Sequence, residues 1–199
     1  MAYRRTPAVQ ARLDAKAGLI TQAAGRVLAR DGFAGFSMAA VAAEAEIATG
    51  TVYKHYAGKA ELVRAVFLEV VTHEVAAVRS AANAEGLSAA DRVSAAVHTF
   101  AGRALRNPKL AYVLLAEPVD AAVDAERLHF RRAFAETFEG AVAAGIARGE
   151  LPPQRPAVTA AALVGAIGEV LVGPLAAEPA DAAVIDDLVA FALRALGLR

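Results

Sequence analysis

The stretch Ile47-Ala48-Thr49-Gly50-Thr51-Val52-Tyr53-Lys54-His55-Tyr56, followed by Lys59, decides how this chain is read. Thr51, Tyr53, Lys54, His55, Tyr56 and Lys59 can all hydrogen-bond to or attract phosphate, and no acid lies among them. A helix laid in the DNA major groove needs this mixture, because phosphate contacts hold its register while base contacts supply specificity. Just upstream, Ser37 is a good N-cap for a helix from Met38 to about Ala45, with Val41 and Ala42 facing inward. Ala45-Glu46-Ile47-Ala48 then reads as a turn and Thr49 to Tyr56 as a short helix, which together make a helix-turn-helix.

Outward from this motif, every segment reads as helical. Alanine, the best helix former, dominates, while β-branched and aromatic strand signals are sparse. A first helix is expected from about Gln10 to Arg30, where Leu13, Ala17, Ile20, Ala24, Val27 and Leu28 recur at three- and four-residue spacing. Asp31-Gly32 ends it, with Gly32 suited to a left-handed cap, and Phe33 and Phe36 read as core plugs. Lys59 starts a long helix to about Asn83. Ser88 to Asp91 has the spacing of a capping box for a helix to about Arg106. Pro108 opens a short helix ending near Glu117-Pro118. Longer helices are expected from about Asp120 to Ala147, from Pro156 to about Gly173-Pro174, and from about Asp181 to Leu196. The expected fold is all-α with about nine helices, divided into a three-helix unit over residues 1–58 and a larger helical unit over 59–199.

Charge follows the same division. The net charge is zero, yet residues 1–59 hold eight Lys and Arg against four acids, and the remainder holds 13 against 17. A basic small end joined to an acidic larger end is the asymmetry of a nucleic-acid-binding module carried on another kind of domain. There is no Cys, so disulfides and thiolate metal sites are excluded. The N-terminal Met1-Ala2-Tyr3-Arg4-Arg5 has no apolar run behind it, so a cytoplasmic protein without a secretory signal is the expectation.

The run Phe36-Ser37-Met38, Val41-Ala42, Ala45, Ile47, Gly50-Thr51-Val52-Tyr53-Lys54-His55-Tyr56, Lys59 and Leu62 resembles the TetR/AcrR family of bacterial transcriptional regulators. The pattern covers roughly Leu13 to Leu62, and its Tyr-x-His-aromatic-x-x-Lys-x-x-Leu portion is far more selective than a bare helix-turn-helix. The resemblance implies a homodimeric regulator that binds a palindromic double-stranded operator and a small ligand that weakens DNA binding. A repressor is the main reading, with an activator lacking an effector, or a helical-bundle enzyme or small-molecule carrier, as the alternatives. It implies DNA contacts from Ser37, Met38, Thr49, Gly50, Thr51 and Lys54, phosphate contacts from Tyr53, His55 and Lys59, and backbone or minor-groove contacts from Arg4, Arg5 and Arg12. Two positions depart from the family. Glu46 stands where it usually has Gly, and Ala48 where it usually has a Ser that caps the recognition helix.

In the larger unit, Ala157 to Ala177 carries a single charge, Glu169, and approaches the length of a membrane span. Glu169 at its middle, the Gly173-Pro174 interruption and its alanine content argue for a buried helix instead. A helix apolar all round must be covered on every side, and a second copy of the chain is the simplest cover. Val158, Leu163, Gly165, Ile167 and Leu171, with Ile185, Leu188, Val189, Ala192 and Leu196 of the last helix, are therefore expected in an isologous four-helix interface. Phe67, Phe100, Tyr112, Leu115, Phe130 and Phe134 lie on the helices that would surround a cavity, and Arg103, His129 and Glu169 are polar residues placed to face it. A mostly apolar small-molecule effector is the expected occupant.

No catalytic residue, metal or cofactor is assigned. Gly35-Phe-Ser37-Met-Ala39 lacks the final Gly of a nucleophile elbow and follows no strand. Gly58-Lys59 lacks the rest of a phosphate-binding loop. Glu126-x-x-His129 has the spacing of a di-iron pair, but no other His has Glu three residues before it.

Overall fold

The computed structural model describes residues 6–119, 121–176 and 182–198. Among these the chain forms nine helices and no strand: α1 (Pro7–Gly35), α2 (Met38–Glu44), α3 (Thr49–His55), α4 (Lys59–Ala82), α5 (Ala89–Arg106), α6 (Pro108–Leu115), α7 (Ala121–Ala147), α8 (Pro156–Ala176) and α9 (Val184–Ala195). The local sequence accounts for most of these ends. Ser37 Oγ accepts from Ala40 N at 3.1 Å and starts α2. Ser88 and Asp91 form a reciprocal capping box at α5. Gly32 has φ 67° and ψ −173°, so α1 is kinked there and closes with one short turn to Gly35.

The turn between α2 and α3 closes as a Schellman motif, with Ile47 N donating to Ala42 O at 3.0 Å and Glu46 N to Ala43 O at 3.2 Å. This motif puts one residue in the left-handed region. Here it is Glu46, at φ 54°, the one non-glycine residue with positive φ among those described. Holding a side chain there costs on the order of 1 kcal/mol. Glu46→Gly is therefore expected to raise the melting temperature by roughly 2–4 °C and to tighten DNA binding by removing an exposed acid beside α3. A lower melting temperature in a thermal scan would contradict the strain.

Two apolar clusters organise the helices. The first gathers Ile20, Val27 and Leu28 of α1, Val41 of α2, Val52 of α3 and Leu62, Val66 and Phe67 of α4. Val113 of α6 and Phe130 of α7 also enter it, so this core crosses residue 58. The second joins Val78 of α4, Val93 and Val97 of α5, Phe138 and Val142 of α7, α8 and α9. Helix α4 runs through both, its first half in one core and its last turns in the other.

Helix α8 continues past Gly173-Pro174 to Ala176, because Leu171 and Leu175 are both buried and hold its last turn despite Pro174. It is long and apolar enough to cross a membrane by length and composition, with mean hydropathy 1.8, but it packs along α7. Its inner stripe corrects an expectation. Leu163, Ile167 and Leu171, with Leu188, Ala192 and Leu196 of α9, are buried in the chain's own core and are not open to a second copy. The reason is register: residues four apart on α8 face α7, so the apolar residues between them form a separate outer stripe. Of the residues expected in an interface, Val158 and Gly165 lie on that exposed stripe, while Ile185 and Val189 are half-buried.

Candidate nucleic-acid interface and the cavity behind it

Helix α3 is fastened by two residues of its inner face. Val52 is fully buried, and Tyr56 Oη shares a 2.8 Å hydrogen bond with Thr21 Oγ1 on α1. With Val52 and Tyr56 turned inward, Thr49, Gly50, Tyr53 and Lys54 are exposed, and Thr51 and His55 are half-buried. Tyr53 is 54% exposed, too open for a core role. Ala48 occupies the N-cap without a side-chain hydrogen bond, and Thr49 does not replace it.

Three residues depart from their expected roles. Met38 is 6% exposed and belongs to the first core, because the side chain after the Ser37 cap points inward. Tyr56, whose hydroxyl had the chemistry for phosphate, is the α1–α3 fastener. Lys59 is turned into the fold. Its Nζ donates to Phe33 O at 2.7 Å and sits 3.8 Å from the centre of the Phe33 ring. Burial lowers its pKa below the usual lysine value, and the Glu117 carboxylate partly offsets this.

The basic count of the first unit also divides. Arg26 Nε donates to Glu44 at 2.6 Å, and Arg30 donates to Glu44 at 2.9 Å and to Asp31 at 2.9 Å, tying α1 to α2. Hydrogen bonds from Arg26 and Arg30 hold the Glu44 carboxyl below the usual carboxylate range. Arg12, Lys16 and Lys54 are exposed and form no ion pair among the described residues. Ser37 remains exposed, and its capping role leaves the hydroxyl proton free to donate. Arg4 and Arg5 lie outside the described residues.

Behind this surface, α4, α5, α6, α7 and α8 enclose a cavity of about 390 Å³. Phe67, Phe100, Arg103, Leu115, Phe130, Phe134 and Glu169 line it, as the sequence suggests. Tyr112 and His129 do not. Tyr112 is packed against the second core, and His129 is exposed on α7 with its ring against the Phe130 edge. Ile167, read as an interface residue, is instead part of the cavity wall.

Sequence reasoning placed Arg103 and Glu169 in the wall but missed Glu74, Arg127 and Arg131. Glu74 pairs with Arg103, whose Nη2 donates at 2.8 Å, and this bond raises the Arg103 pKa. Arg127 donates to the carbonyls of Val113 at 2.6 Å, Leu114 at 3.0 Å and Glu117 at 2.5 Å, closing the end of α6, and reaches Asp124 at 2.7 Å. Its guanidinium lies 5.7 Å from the Phe67 ring centre. A signal for it existed. A short helix ending before Pro118 leaves carbonyls that a donor has to satisfy. Arg131 is the remaining cation of the wall and forms no ion pair among the described residues. Glu126, three residues before His129, accepts from Arg64 at 2.8 Å.

Residues 20–66 match the family model of bacterial regulatory proteins of the tetR family, and residues 86–171 match the tetracyclin repressor-like C-terminal domain. The chain belongs to the TetR family. It is a TetR-family transcriptional regulator with a DNA-binding helix-turn-helix, and α2 and α3 are the two helices of that motif. No curated protein matches the sequence. Solved TetR-like structures share the fold over nearly the full length. The fatty acid degradation regulator FadR from Bacillus halodurans is 18% identical over 96% of this chain and 97% of its own, with a TM-score of 0.78. FadR from Bacillus subtilis, solved in complex with stearoyl-CoA, is 19% identical over 90% and 95%, with a TM-score of 0.70. A tetR-family regulatory protein from Rhodococcus RHA1 is 24% identical over 92% and 97%, also at 0.70.

Proposed function

We propose that this regulator is a cytoplasmic repressor that binds a palindromic operator as a homodimer and leaves it when a mostly apolar ligand fills the bundle cavity. Residues 1–58 form the DNA-binding unit and 59–199 the ligand-binding and dimerisation unit. Thr49, Gly50, Thr51 and Lys54 face the groove, Ser37, Tyr53 and His55 meet the backbone, and Arg12 with the Arg4-Arg5 arm extends the contact. Two copies of α3 related by a two-fold axis would read half-sites roughly 34–36 Å apart or a little more.

The observation that carries the ligand-responsive part is the cavity. Its size lies within the range for small-molecule sites. Its wall is built largely from Phe67, Phe100, Phe130, Phe134 and Phe138, and Arg131 is placed to meet an anionic end. An amphiphile with an acyl chain suits that wall, and the FadR likeness makes stearoyl-CoA the first compound to test. In a titration of the protein–operator complex, stearoyl-CoA is expected to weaken DNA binding within the 5–150-fold range usual for coupled sites, while coenzyme A alone leaves it unchanged. Equal DNA affinity with and without stearoyl-CoA would remove acyl thioesters as the effector class.

A further inference from the structure

We propose that the Glu117 carboxylate is the positioning residue through which occupancy of the bundle cavity reaches the DNA-binding helices. The inference rests on the ligand-responsive reading above and goes beyond it by assigning the link. The kink in α1 is where the link forms. At Gly32 the ψ of −173° swings the following peptide out of the helical direction, so the Phe33 N–H no longer points back along α1. Glu117, just past the end of α6, accepts from that N–H at 3.1 Å. The other face of the same residue is held from the opposite side, where Lys59 Nζ at the start of α4 donates to Phe33 O at 2.7 Å. One residue of α1 is thus gripped by an acid from the ligand-binding unit and by a cation that follows α3 within a few residues. A Cβ at position 32 would lie in ordinary van der Waals contact with the two Glu117 oxygens, at 3.7 Å and 3.8 Å, so it is the φ of 67° that reserves the position for glycine.

The other end of Glu117 is tied to the cavity. Its carbonyl, together with those of Val113 and Leu114, is held by Arg127, and Arg127, Leu114 and Leu115 line the cavity wall. A ligand that displaces α6 or the Arg127 guanidinium therefore moves the backbone bearing Glu117. Lys109 Nζ also reaches Arg30 O, at 3.3 Å, but that contact is exposed and lies at the far end of α6 from Arg127's carbonyls. Charge-assisted bonds away from bulk water are the stronger ones, so the Glu117 clasp carries the displacement to Phe33 and through Lys59 to the base of α3.

The test needs no identified ligand. Gly168 lines the cavity, and a Cβ there meets nothing within 4 Å, so Gly168→Leu serves as a built-in occupant on a helix that leucine favours. DNA affinity is measured on a duplex selected from random sequence with the wild-type full chain, for wild type, G168L, E117A and E117A/G168L. G168L alone is expected to lower affinity at least about fivefold, the lower end of usual couplings. In the E117A background the same substitution is expected to lower it less than about twofold. A merely structural Glu117 would lower the melting temperature and leave the two ratios equal, and equal ratios overturn the proposal. No effect of G168L in the wild type would instead overturn the cavity-to-DNA reading, and the clasp with it. Should E117A fail to fold, E117M carries the same comparison, because its side chain keeps the length of Glu117 while offering the Phe33 N–H no carboxylate to bind.

Discussion

Val158→Glu combined with Val170→Glu is expected to yield a stable monomer whose affinity for a two-fold operator is lower by roughly 10²–10⁴, the gain that linking two binding modules supplies. In the single chain, Val158 is 53% exposed, Val170 46% and, on α9, Phe191 42%. Between Val158 and Val170 on α8 lie the exposed small residues Ala161, Ala162 and Gly165, and Gly173 follows one turn on. A helix this apolar, with one stripe buried against α7 and the other open, leaves a patch of the kind that marks an interaction site. Two carboxylates per copy, meeting their own images across a two-fold axis, would face like charges and an apolar partner with no counter-ion. Both positions are exposed in the isolated chain, so folding should be unaffected. That separates this outcome from simple destabilisation. Sedimentation at micromolar concentration reads the assembly, and an intact dimer with unchanged operator affinity would place the interface elsewhere.

This prediction shows how the sequence was legible at one level and not at the next. The apolarity of α8 called for burial, but an all-round apolar pattern does not say which stripe packs on α7 and which stays open on the surface. Leu163, Ile167 and Leu171, expected in an interface, are buried in the chain's own core, whereas Val158 and Gly165 are exposed. Helix ends were easier to read, because caps are local chemistry. Ser37, the Ser88–Asp91 box, Pro108 and the positive φ of Gly32 all act where their residue types suggest. Glu46 was legible as a misfit for the same reason: the Schellman turn demands left-handed backbone whatever side chain occupies it.

The cavity followed the same division. Aromatic residues on successive helices pointed to its wall, since apolar periodicity survives in one dimension. The roles of Glu74, Arg103 and Arg127 did not, because an ion pair between α4 and α5, or a guanidinium reaching the carbonyls of another helix, depends on distances the sequence does not contain. Within the motif itself, the sequence concentrates phosphate-seeking chemistry between Ile47 and Lys59. Which of those side chains face outward depends on one anchor. Once Val52 is buried, helical geometry sends Tyr53 and Lys54 out and brings Tyr56 back to Thr21.

Lys54 and Lys59 make that distinction measurable. For Lys54→Ala, operator affinity near physiological salt is expected to fall on the order of 10–100-fold. A cation held in the groove releases counterions as one on a phosphate does, and each phosphate charge neutralised on B-DNA contributes about −0.9 to the slope of log K against log salt. Loss of one cation from each copy of a dimer should then make that slope shallower by about 1.8. The ammonium of Lys54 is exposed and forms no ion pair among the described residues, so nothing within the fold depends on it and the melting temperature should stay unchanged. Lys59→Ala should do the reverse. Its ammonium is committed to Phe33 O and to the Phe33 ring, so its removal leaves that carbonyl with only the 3.3 Å bond from Phe36 N–H and loosens α1 against α4. Melting temperature falls, while the salt slope keeps its wild-type value because no phosphate contact is lost. A salt titration in which Lys59→Ala flattens the slope as much as Lys54→Ala would show that the Lys59 side chain leaves Phe33 to meet the backbone on DNA. The inward geometry would then describe only the free protein.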